Sequence, residues 1–332
     1  GALEHNLEVV RRATPGLKVM AVIKANAYGH GMVTVAQHLN EVDAFAVARV
    51  QEALTLRSNG IATRVVLLSG AMNTHDAAMA DQHNFEPVVH SWNQLEILDN
   101  YASGRINVWA KFDTGMNRLG FDPADAEDVL DRLRASRGVG EIRLMTHLSS
   151  ADELENTVTA RQLEVFEPVV RGFDGDVSIG NTPATLGWPE TVAAKERFDF
   201  KGDYWIRPGV ALFGVSPFGD GCGADLGLKP VMRFEARLIA VKPLKAGARV
   251  GYRGAYVSER DTTLGIIAAG YGDGYTRHFR TGTPVLINGR RVPLIGNVSM
   301  DMIAVDLGAE SDDRVGACLL YTSDAADDSV YV

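Results

Sequence analysis

The feature that most constrains the fold is a regular alternation of short apolar runs and longer amphipathic stretches from residue 1 to about 215. The apolar runs have the length of strands, and the stretches between them carry apolar residues at helical spacing. Eight strands with crossover helices, in units of about 25 residues, are typical of a (β/α)8 barrel. A doubly wound sheet is the alternative, but it rarely needs eight such regular units. The predicted strands are 18–23, 43–47, 64–69, 85–89, 106–112, 141–146, 176–180 and 205–213, and the predicted helices include 30–40, 49–59, 91–100, 123–136 and 157–172.

The pattern changes after the glycine-rich run at 219–223. Beyond it the apolar runs are short, and turn residues separate them, which favours a small domain made mainly of β-strands. Asn288-Gly289 lies between two such runs and predicts a hairpin. We therefore expect a barrel over 1–225 and an incomplete β-strand domain over 226–317. The predicted strands of this domain are 231–241, 263–270, 284–288, 291–295 and 302–306.

Both ends of the chain are unusual for a complete protein. The first residues have no initiator Met and have the pattern of the middle of a helix, so we expect a fragment whose true N-terminus is missing. Whether a signal peptide was lost with that segment is left open. Residues 318–332 resemble the translation of a sequencing adapter, and we interpret them as a non-native tail; a genuine last strand followed by an acidic tail is the alternative.

Composition is that of a globular protein. The chain has 332 residues, 46% hydrophobic and 23% charged, which suffices for a large core. Its net charge of -9 argues against nucleic acid as the main partner. The longest apolar runs are strand-length, so no transmembrane helix and no membrane partner are predicted. Two cysteines, Cys222 and Cys318, are too few for a disulfide framework and favour a cytoplasmic location.

The run VMAVIKANAYGHG at 19–31 ends a predicted strand on Lys24. A lysine in this position usually extends to water, and that is the ordinary interpretation. Partial desolvation would instead lower its pKa and free the amine to attack a carbonyl, as Schiff-base lysines do. The glycines and Tyr28 that follow bring backbone and a hydroxyl that can approach an anion.

Polar residues also follow other predicted strands. The run KFDTGMNRLG at 111–120 carries two cations, Lys111 and Arg118, and either forms a simple polar turn or helps to assemble an anion site. His147, after the sixth strand, is by itself most simply a structural histidine. Arg207 is the second residue of the run IRPGVALFG at 206–214, and a buried arginine needs acceptors because its charge cannot be shed.

Together with VGYRGAY at 250–256, GYGDGYTR at 270–277 and GNVSMDM at 296–302, these runs resemble the alanine racemase family in sequence and in order. The resemblance covers about residues 1–316. It implies a barrel that binds pyridoxal 5'-phosphate, a β-strand domain, a homodimer, and a bacterial isomerase that interconverts L- and D-alanine and supplies D-alanine for peptidoglycan. The family's C-terminal segment, with a further phosphate-binding tyrosine, is absent from this sequence.

The resemblance also implies roles for individual residues. Lys24 would carry the cofactor and remove the α-proton of D-alanine, and Tyr252 of the other subunit would remove that of L-alanine. A phenol and an amine have similar ordinary pKa values, so both can be tuned to exchange protons near neutrality. Arg207 would face the pyridine nitrogen, which makes the cofactor a weaker electron sink and restrains transamination. The cofactor-binding residues would be Lys24, Tyr28, His147, Asn181, Thr182, Arg207, Gly209 and Val210.

Substrate binding is implied for the Arg118 side chain and the Met300 backbone. Lys111 would be carbamylated and would then orient the Arg118 guanidinium. Tyr271 would line the entrance channel, and Asp301 belongs to the same matching segment as Met300.

Three other functions remain open at this stage. A serine or broad-specificity amino-acid racemase would keep the same fold. A regulatory barrel that binds the cofactor without turnover would lack a β-domain, and residues 231–310 argue against it. A decarboxylase of this fold would use a cysteine from the partner subunit, and neither Cys222 nor Cys318 lies in such a context.

Overall fold

The computed structural model describes residues 1–101, 104–189 and 195–322. The chain forms two compact units, the first ending at Val231 and the second beginning at Met232. The domain bounds that we expect from sequence, 1–225 and 226–317, stay predictions. Within the described residues, none of the helices combines the length and the apolar composition that crossing a membrane requires.

The first unit is a closed barrel of eight parallel strands, in which each strand pairs with the next and the last pairs with the first. This confirms the predicted (β/α)8 architecture. The strands are β1 (Lys18–Val22), β2 (Ala44–Val47), β3 (Arg64–Leu67), β4 (Phe85–Val89), β5 (Ile106–Lys111), β6 (Val139–Met145), β7 (Val177–Asn181) and β8 (Tyr204–Arg207). The helices are Ala2–Ala13, Met32–His38, Val50–Ser58, Thr74–His83, Trp92–Asn100, Ala126–Ala135, Val158–Val170, Thr182–Gly187 and Lys195–Phe198.

Most residues of the barrel strands are apolar because both faces of each strand are buried. In β1, Met20 and Val22 belong to an interior cluster that also contains Trp109 and Trp205. The alternate residue Ala21 belongs instead to the larger cluster that includes the surrounding helices. Side chains of a strand alternate between its two faces, so a run without polar residues predicts burial on both.

The eighth strand is shorter than its apolar sequence predicts. It ends at Arg207, and Val210–Phe213 forms a 3-10 turn, so the second half of the predicted strand 205–213 is wrong. Pro208 has no N–H for the ladder, and the Gly209 amide donates to the Thr182 hydroxyl at 2.8 Å instead of to a strand. Apolar runs that are buried in a turn and in a strand look alike in sequence.

The helix Thr74–His83 is not evident from apolar periodicity, because its buried apolar residues are alanines. Its start is set by a side-chain cap: the Asn73 amide oxygen accepts a hydrogen bond from the Asp76 amide at 2.8 Å. Such a cap satisfies one of the donors that the first helical turn leaves open.

The second unit is built from antiparallel strands, which confirms the predicted β-strand domain. The strands are β9 (Arg233–Leu244), β10 (Arg249–Val250), β11 (Tyr256–Val257), β12 (Thr262–Ile267), β13 (Pro284–Ile287), β14 (Arg290–Pro293), β15 (Ile303–Asp306) and β16 (Cys318–Thr322). Six of them form one sheet in the order β14-β13-β16-β9-β12-β15, and β10 pairs with β11. Asn288 and Gly289 both have positive φ values, 47° and 80°, and join β13 to β14 as the predicted hairpin turn.

Strand β16 lies at the beginning of the segment that we interpret as a non-native tail. It pairs with β9 on one side and with β13 on the other, as the alternative of a genuine last strand requires. The remainder, 323–332, lies outside the described residues. The foreign origin of 318–332 therefore stays a prediction.

Candidate active site

Lys24 lies just beyond the carboxyl end of β1 and begins a left-handed helical turn. The four residues that follow it, Ala25–Tyr28, have φ values between 52° and 56°. The Lys24 side chain is partly buried, and its pKa is lowered by burial first and by the positive charge of Arg118 second. A lysine with a lowered pKa is neutral, and so nucleophilic and basic, over more of the neutral pH range.

Arg207, the last residue of β8, is almost completely buried and is held by the ends of β6 and β7. Its Nη1 donates to the Ser178 hydroxyl, and its Nη2 donates to the carbonyl oxygens of Thr146 at 2.6 Å and Ile179 at 3.1 Å. Burial lowers the pKa of Arg207 to about 10, so the guanidinium keeps its charge at neutral pH. These acceptors compensate a charge that would otherwise be costly to bury.

His147 follows β6 and touches the same guanidinium. Arg207 Nη2 lies 3.3 Å from His147 Nδ1. Burial, reinforced by the charges of Arg207 and Lys111, lowers the pKa of His147 to about 2. The imidazole is therefore neutral, and because arginine can only donate, Nδ1 is the acceptor and the proton resides on Nε2.

Tyr28, Gly209 and Thr182 form a small polar pocket beside this cluster. A Cβ on Gly209 would lie 2.5 Å from the Tyr28 hydroxyl oxygen, so only glycine permits the observed approach. The Gly209 amide donates to Thr182 Oγ1, and Asn181 caps the short helix that begins at Thr182 by accepting from the Ala184 amide at 3.2 Å. Burial raises the pKa of Tyr28, so its phenol remains a hydrogen-bond donor.

The loop after β5 is organised by Asp113. Its carboxylate accepts hydrogen bonds from four backbone amides at 2.9–3.0 Å, the last of which is that of Arg118. Burial alone would raise the pKa of Asp113, but these amides hold it below its ordinary value. The turn predicted for this loop is thus present, and it presents the exposed Arg118 side chain at the end of the barrel that carries Lys24.

Lys111, the last residue of β5, is 8% exposed. Its pKa is lowered to about 8 by burial and by the charges of Arg207 and Arg118, against the opposing effect of Asp113. Its charge also lowers the pKa of His147. This end of the barrel therefore concentrates positive charge, and such a region attracts an anionic ligand.

The remaining predicted site residues belong to the second unit. Tyr252 lies in a 3-10 turn, is 74% exposed, and its carbonyl accepts from the Asn297 side chain at 3.4 Å. Tyr271 is half-exposed and its amide donates to Ser299, while the amide of the next residue donates to Met300 at 2.7 Å. Met300 and Asp301 are exposed. The loops of this unit thus place Tyr271 close to Met300. The roles that the family resemblance implies for these two residues stay predictions.

Several supporting residues escape the sequence analysis. Ser178 and the backbone of Thr146 hold Arg207, and Gln162 connects the Thr114 hydroxyl to the His147 carbonyl at 3.3 and 3.1 Å. Glu52 accepts a hydrogen bond from the amide that follows Lys24. Ser178 places a hydroxyl inside strand β7, which is a signal that sequence alone could supply; Glu52 and Gln162 look like ordinary helix residues. The described residues contain no group of three or more His, Cys, Asp or Glu side chains placed to hold a metal ion.

Comparison with known proteins identifies the family. Residues 1–217 match the family model described as alanine racemase, N-terminal domain, and residues 231–328 match that of the C-terminal domain. The alanine racemase of Shewanella piezotolerans is 46% identical over 318 residues, which are 95% of this chain and 86% of the relative.

Solved structures agree with the sequence matches. The biosynthetic alanine racemase of Pseudomonas aeruginosa superposes with a TM-score of 0.88 at 39% identity, over 96% of this chain and 87% of that one. The alanine racemase of Bartonella henselae, solved with covalently bound pyridoxal phosphate, gives a TM-score of 0.82 at 27% identity, over 96% and 88% of the two chains. This chain therefore belongs to the alanine racemase family.

Proposed function

We propose that this protein is a pyridoxal 5'-phosphate-dependent racemase that interconverts L- and D-alanine. The observation that carries the proposal is the Lys24 amine, whose pKa is lowered at the barrel end that also holds the buried Arg207 guanidinium. A racemase needs an amine that can bind a carbonyl cofactor and then exchange a proton with the substrate. Family membership supplies the second, independent support.

The residues present fit this cofactor. Lys24 would bind its aldehyde, and the pocket of Tyr28, Thr182 and Gly209 would hold its phosphate, together with Asn181 and the amide of Val210, which begins a 3-10 turn. When bound, pyridoxal phosphate withdraws electrons from the substrate's α-carbon and so makes its proton removable. The cradle at Gly209, which a Cβ would fill, supports this assignment.

Arg207 would donate a hydrogen bond to the ring nitrogen. Three of its observed contacts are to oxygens that hold the guanidinium in one orientation, and neutral His147 accepts from it without competing for its charge. A guanidinium that keeps its proton disfavours protonation of the ring nitrogen. The electron-withdrawing power of the cofactor is then limited, which favours return of the proton over transamination.

Arg118 would bind the substrate carboxylate, and the Met300 backbone would be a further substrate contact. Its guanidinium presents the planar fork of donors that suits a carboxylate. We propose that Lys111 is carbamylated and orients Arg118. With a pKa of about 8, roughly a quarter of the Lys111 amine is neutral at pH 7.5 and available to CO2. The product is an anion, which suits a site rich in positive charge.

Tyr252 would be the second base. Lys24 Nζ removes the α-proton from D-alanine and the Tyr252 hydroxyl removes it from L-alanine, so each acts on one face of the carbon. We propose that the protein is a homodimer in which Tyr252 of one subunit completes the site of the other, with Tyr271 lining the entrance. The 74% exposure of Tyr252 in the single chain supports this role. Asp301 would support the loop that carries Met300.

We further propose a cytoplasmic enzyme that supplies D-alanine for peptidoglycan and has neither a nucleic acid nor a membrane as partner. Comparison of racemisation rates for alanine and serine tests the substrate. We expect both directions of alanine racemisation to be fast and serine to be turned over at least ten-fold more slowly. If serine is racemised as fast as alanine or faster, the protein is a serine or broad-specificity racemase instead. If neither amino acid is racemised, the proposed function is rejected.

Shared sites give a second test. Lys24→Ala and Tyr252→Phe chains should each lose most activity alone. Mixing them should restore activity, because one of the two sites in a mixed dimer contains both intact residues. If mixed subunits exchange but regain nothing, Tyr252 does not act across the dimer.

A further inference from the structure

We propose that Glu52 is a positioning residue for Lys24: its carboxylate holds the left-handed turn behind Lys24 against the start of the helix Val50–Ser58. The inference rests on the proposed role of Lys24, and it assigns a function to Glu52, which the proposed site above does not include. Three features of the structure carry it: the strained turn, the two-sided contact of the carboxylate, and the charge that Glu52 places near the amine.

The turn is unfavourable for its own sequence. Ala25, Asn26, Ala27 and Tyr28 all have left-handed backbone conformations, with φ near 55°. L-residues with a Cβ avoid this conformation because the Cβ approaches the following carbonyl oxygen, and four in succession are not stable alone. The surrounding structure must therefore impose the turn, and strain of this kind is concentrated at functional sites.

Glu52 supplies a fixed contact to the first residue of the turn. Its Oε1 accepts a hydrogen bond from the Ala25 amide at 2.7 Å. Its Oε2 accepts from the amides of Ala48 at 2.7 Å and Arg49 at 3.1 Å, which precede the helix. The second contact alone would be an ordinary capping interaction. The first connects that cap to the residue directly after Lys24, so one carboxylate joins two segments of the chain.

The bonds that the turn makes with its own neighbours do not replace this contact. The Gly29 amide returns to Ala25, and Asn26 accepts from the amides of Gly31 and Met32. These bonds close the turn on itself and on the helix that follows. The Glu52 contact instead joins the turn to the start of the helix that follows β2, while the rings of Tyr28 and His30 pack on Phe213 of the 3-10 turn after β8.

Glu52 also affects the charge balance at the amine. Burial and Arg118 lower the pKa of Lys24, and the Glu52 carboxylate opposes them. Lys111 is a further cation that interacts with Lys24, while His147 is neutral in this environment. Removing the Glu52 charge should therefore shift the titration of Lys24 to lower pH.

The test uses the full chain, stripped of cofactor with hydroxylamine, and four variants. Glu52→Gln keeps the length of the side chain but loses the charge and one acceptor. Asn73→Ala is the matched control, because it removes a helix cap in the same barrel without touching the turn. Ala25→Gly, alone and combined with Glu52→Gln, removes the Cβ that makes the first left-handed residue unfavourable.

Two readouts are measured: the pH midpoint of Lys24 acetylation by acetic anhydride, mapped by mass spectrometry, and the affinity for added pyridoxal phosphate. For Glu52→Gln we expect a lower midpoint and at least ten-fold weaker cofactor binding. For Asn73→Ala we expect a loss of stability, with no change in the acetylation midpoint or in the affinity for pyridoxal phosphate. Ala25→Gly should recover part of the affinity lost in Glu52→Gln but not the midpoint.

Equal behaviour of Glu52→Gln and Asn73→Ala in both readouts would reduce Glu52 to a helix cap and overturn the proposal. If Glu52→Gln does not fold, Glu52→Asp serves instead: it keeps the charge but is one methylene too short to reach both sides, and should keep the midpoint while losing affinity. The acetylation midpoint needs no cofactor. It therefore tests Glu52 even if the native chain binds no pyridoxal phosphate, an outcome that would instead reject the proposed function.

Discussion

Replacing Gly209 by Ala should displace the Tyr28 hydroxyl and weaken cofactor binding with little loss of stability. The added Cβ would lie 2.5 Å from the hydroxyl oxygen, whereas ordinary contact begins near 3.4 Å. The oxygen must therefore retreat by about 0.9 Å. Tyr28 can do so because it is 39% exposed. The cost in folding free energy should lie at or below about 1 kcal/mol, the lower end for overpacking.

The loss of affinity follows from the displaced hydroxyl. A hydrogen bond of about 2.8 Å that is stretched by nearly 1 Å no longer meets the distance criterion for a bond. A bond from a hydroxyl to a charged group contributes about 1.5–3 kcal/mol. Since 1.4 kcal/mol corresponds to a factor of ten, the Kd for pyridoxal phosphate should rise about 10- to 100-fold.

A double-mutant cycle with Tyr28→Phe tests the geometry directly. Tyr28→Phe should weaken binding by a similar factor, because the same hydroxyl is lost. In the double variant the added Cβ meets the ring carbon at 3.3 Å, which small movements accommodate, so no further loss is expected. Binding is measured by the absorbance of bound cofactor, and stability by urea unfolding. Additive losses in the two variants, or unchanged affinity in Gly209→Ala, would refute the assignment of this pocket to the phosphate.

Three further outcomes are expected. Tyr252→Phe should slow proton removal from L-alanine at least about 100-fold and affect D-alanine much less, measured as solvent deuterium incorporation; equal losses would contradict a one-sided base. Lys111 has a pKa lowered from 10.5 to about 8, so the folded protein releases this proton at lower pH than the unfolded chain does. The free energy of unfolding, measured by urea titration without bicarbonate, should therefore rise between pH 8 and 10 by about 2 kcal/mol more than that of Lys111→Met. If the difference between the two proteins did not change with pH, a buried neutral amine would be excluded. Ser178→Ala removes an acceptor from the buried Arg207 and should lower the free energy of unfolding by about 1.5–3 kcal/mol; a change below about 0.5 kcal/mol would show that other acceptors replace it.

The barrel is predictable from sequence because its strands are buried on both faces and its helices on one. The run 19–23 is apolar throughout, and the structure places strand β1 at Lys18–Val22. The prediction fails where burial and secondary structure separate. Val210–Phe213 is as apolar as a strand, but Pro208 ends the ladder and the segment turns.

The candidate site is predictable only in part. A lysine at a strand end and an arginine inside a strand are unusual enough to be noticed individually, and the family resemblance assigns roles to them. The left-handed turn of Ala25–Tyr28 is not predictable from propensity, because alanine does not favour that conformation and long-range contacts impose it. The contact of Glu52 joins residues 27 positions apart, which no local pattern reveals.

The most direct test of the central claim is to identify the lysine that holds the cofactor. The protein is incubated with pyridoxal 5'-phosphate, reduced with borohydride, digested, and analysed by peptide mass spectrometry. We expect the reduced adduct on Lys24 in the native chain and its absence from Lys24→Ala. Lys111, the second buried lysine of the same barrel end, is the internal control and should remain free of adduct. An adduct on Lys111, or one that persists at full yield in Lys24→Ala, would contradict the account.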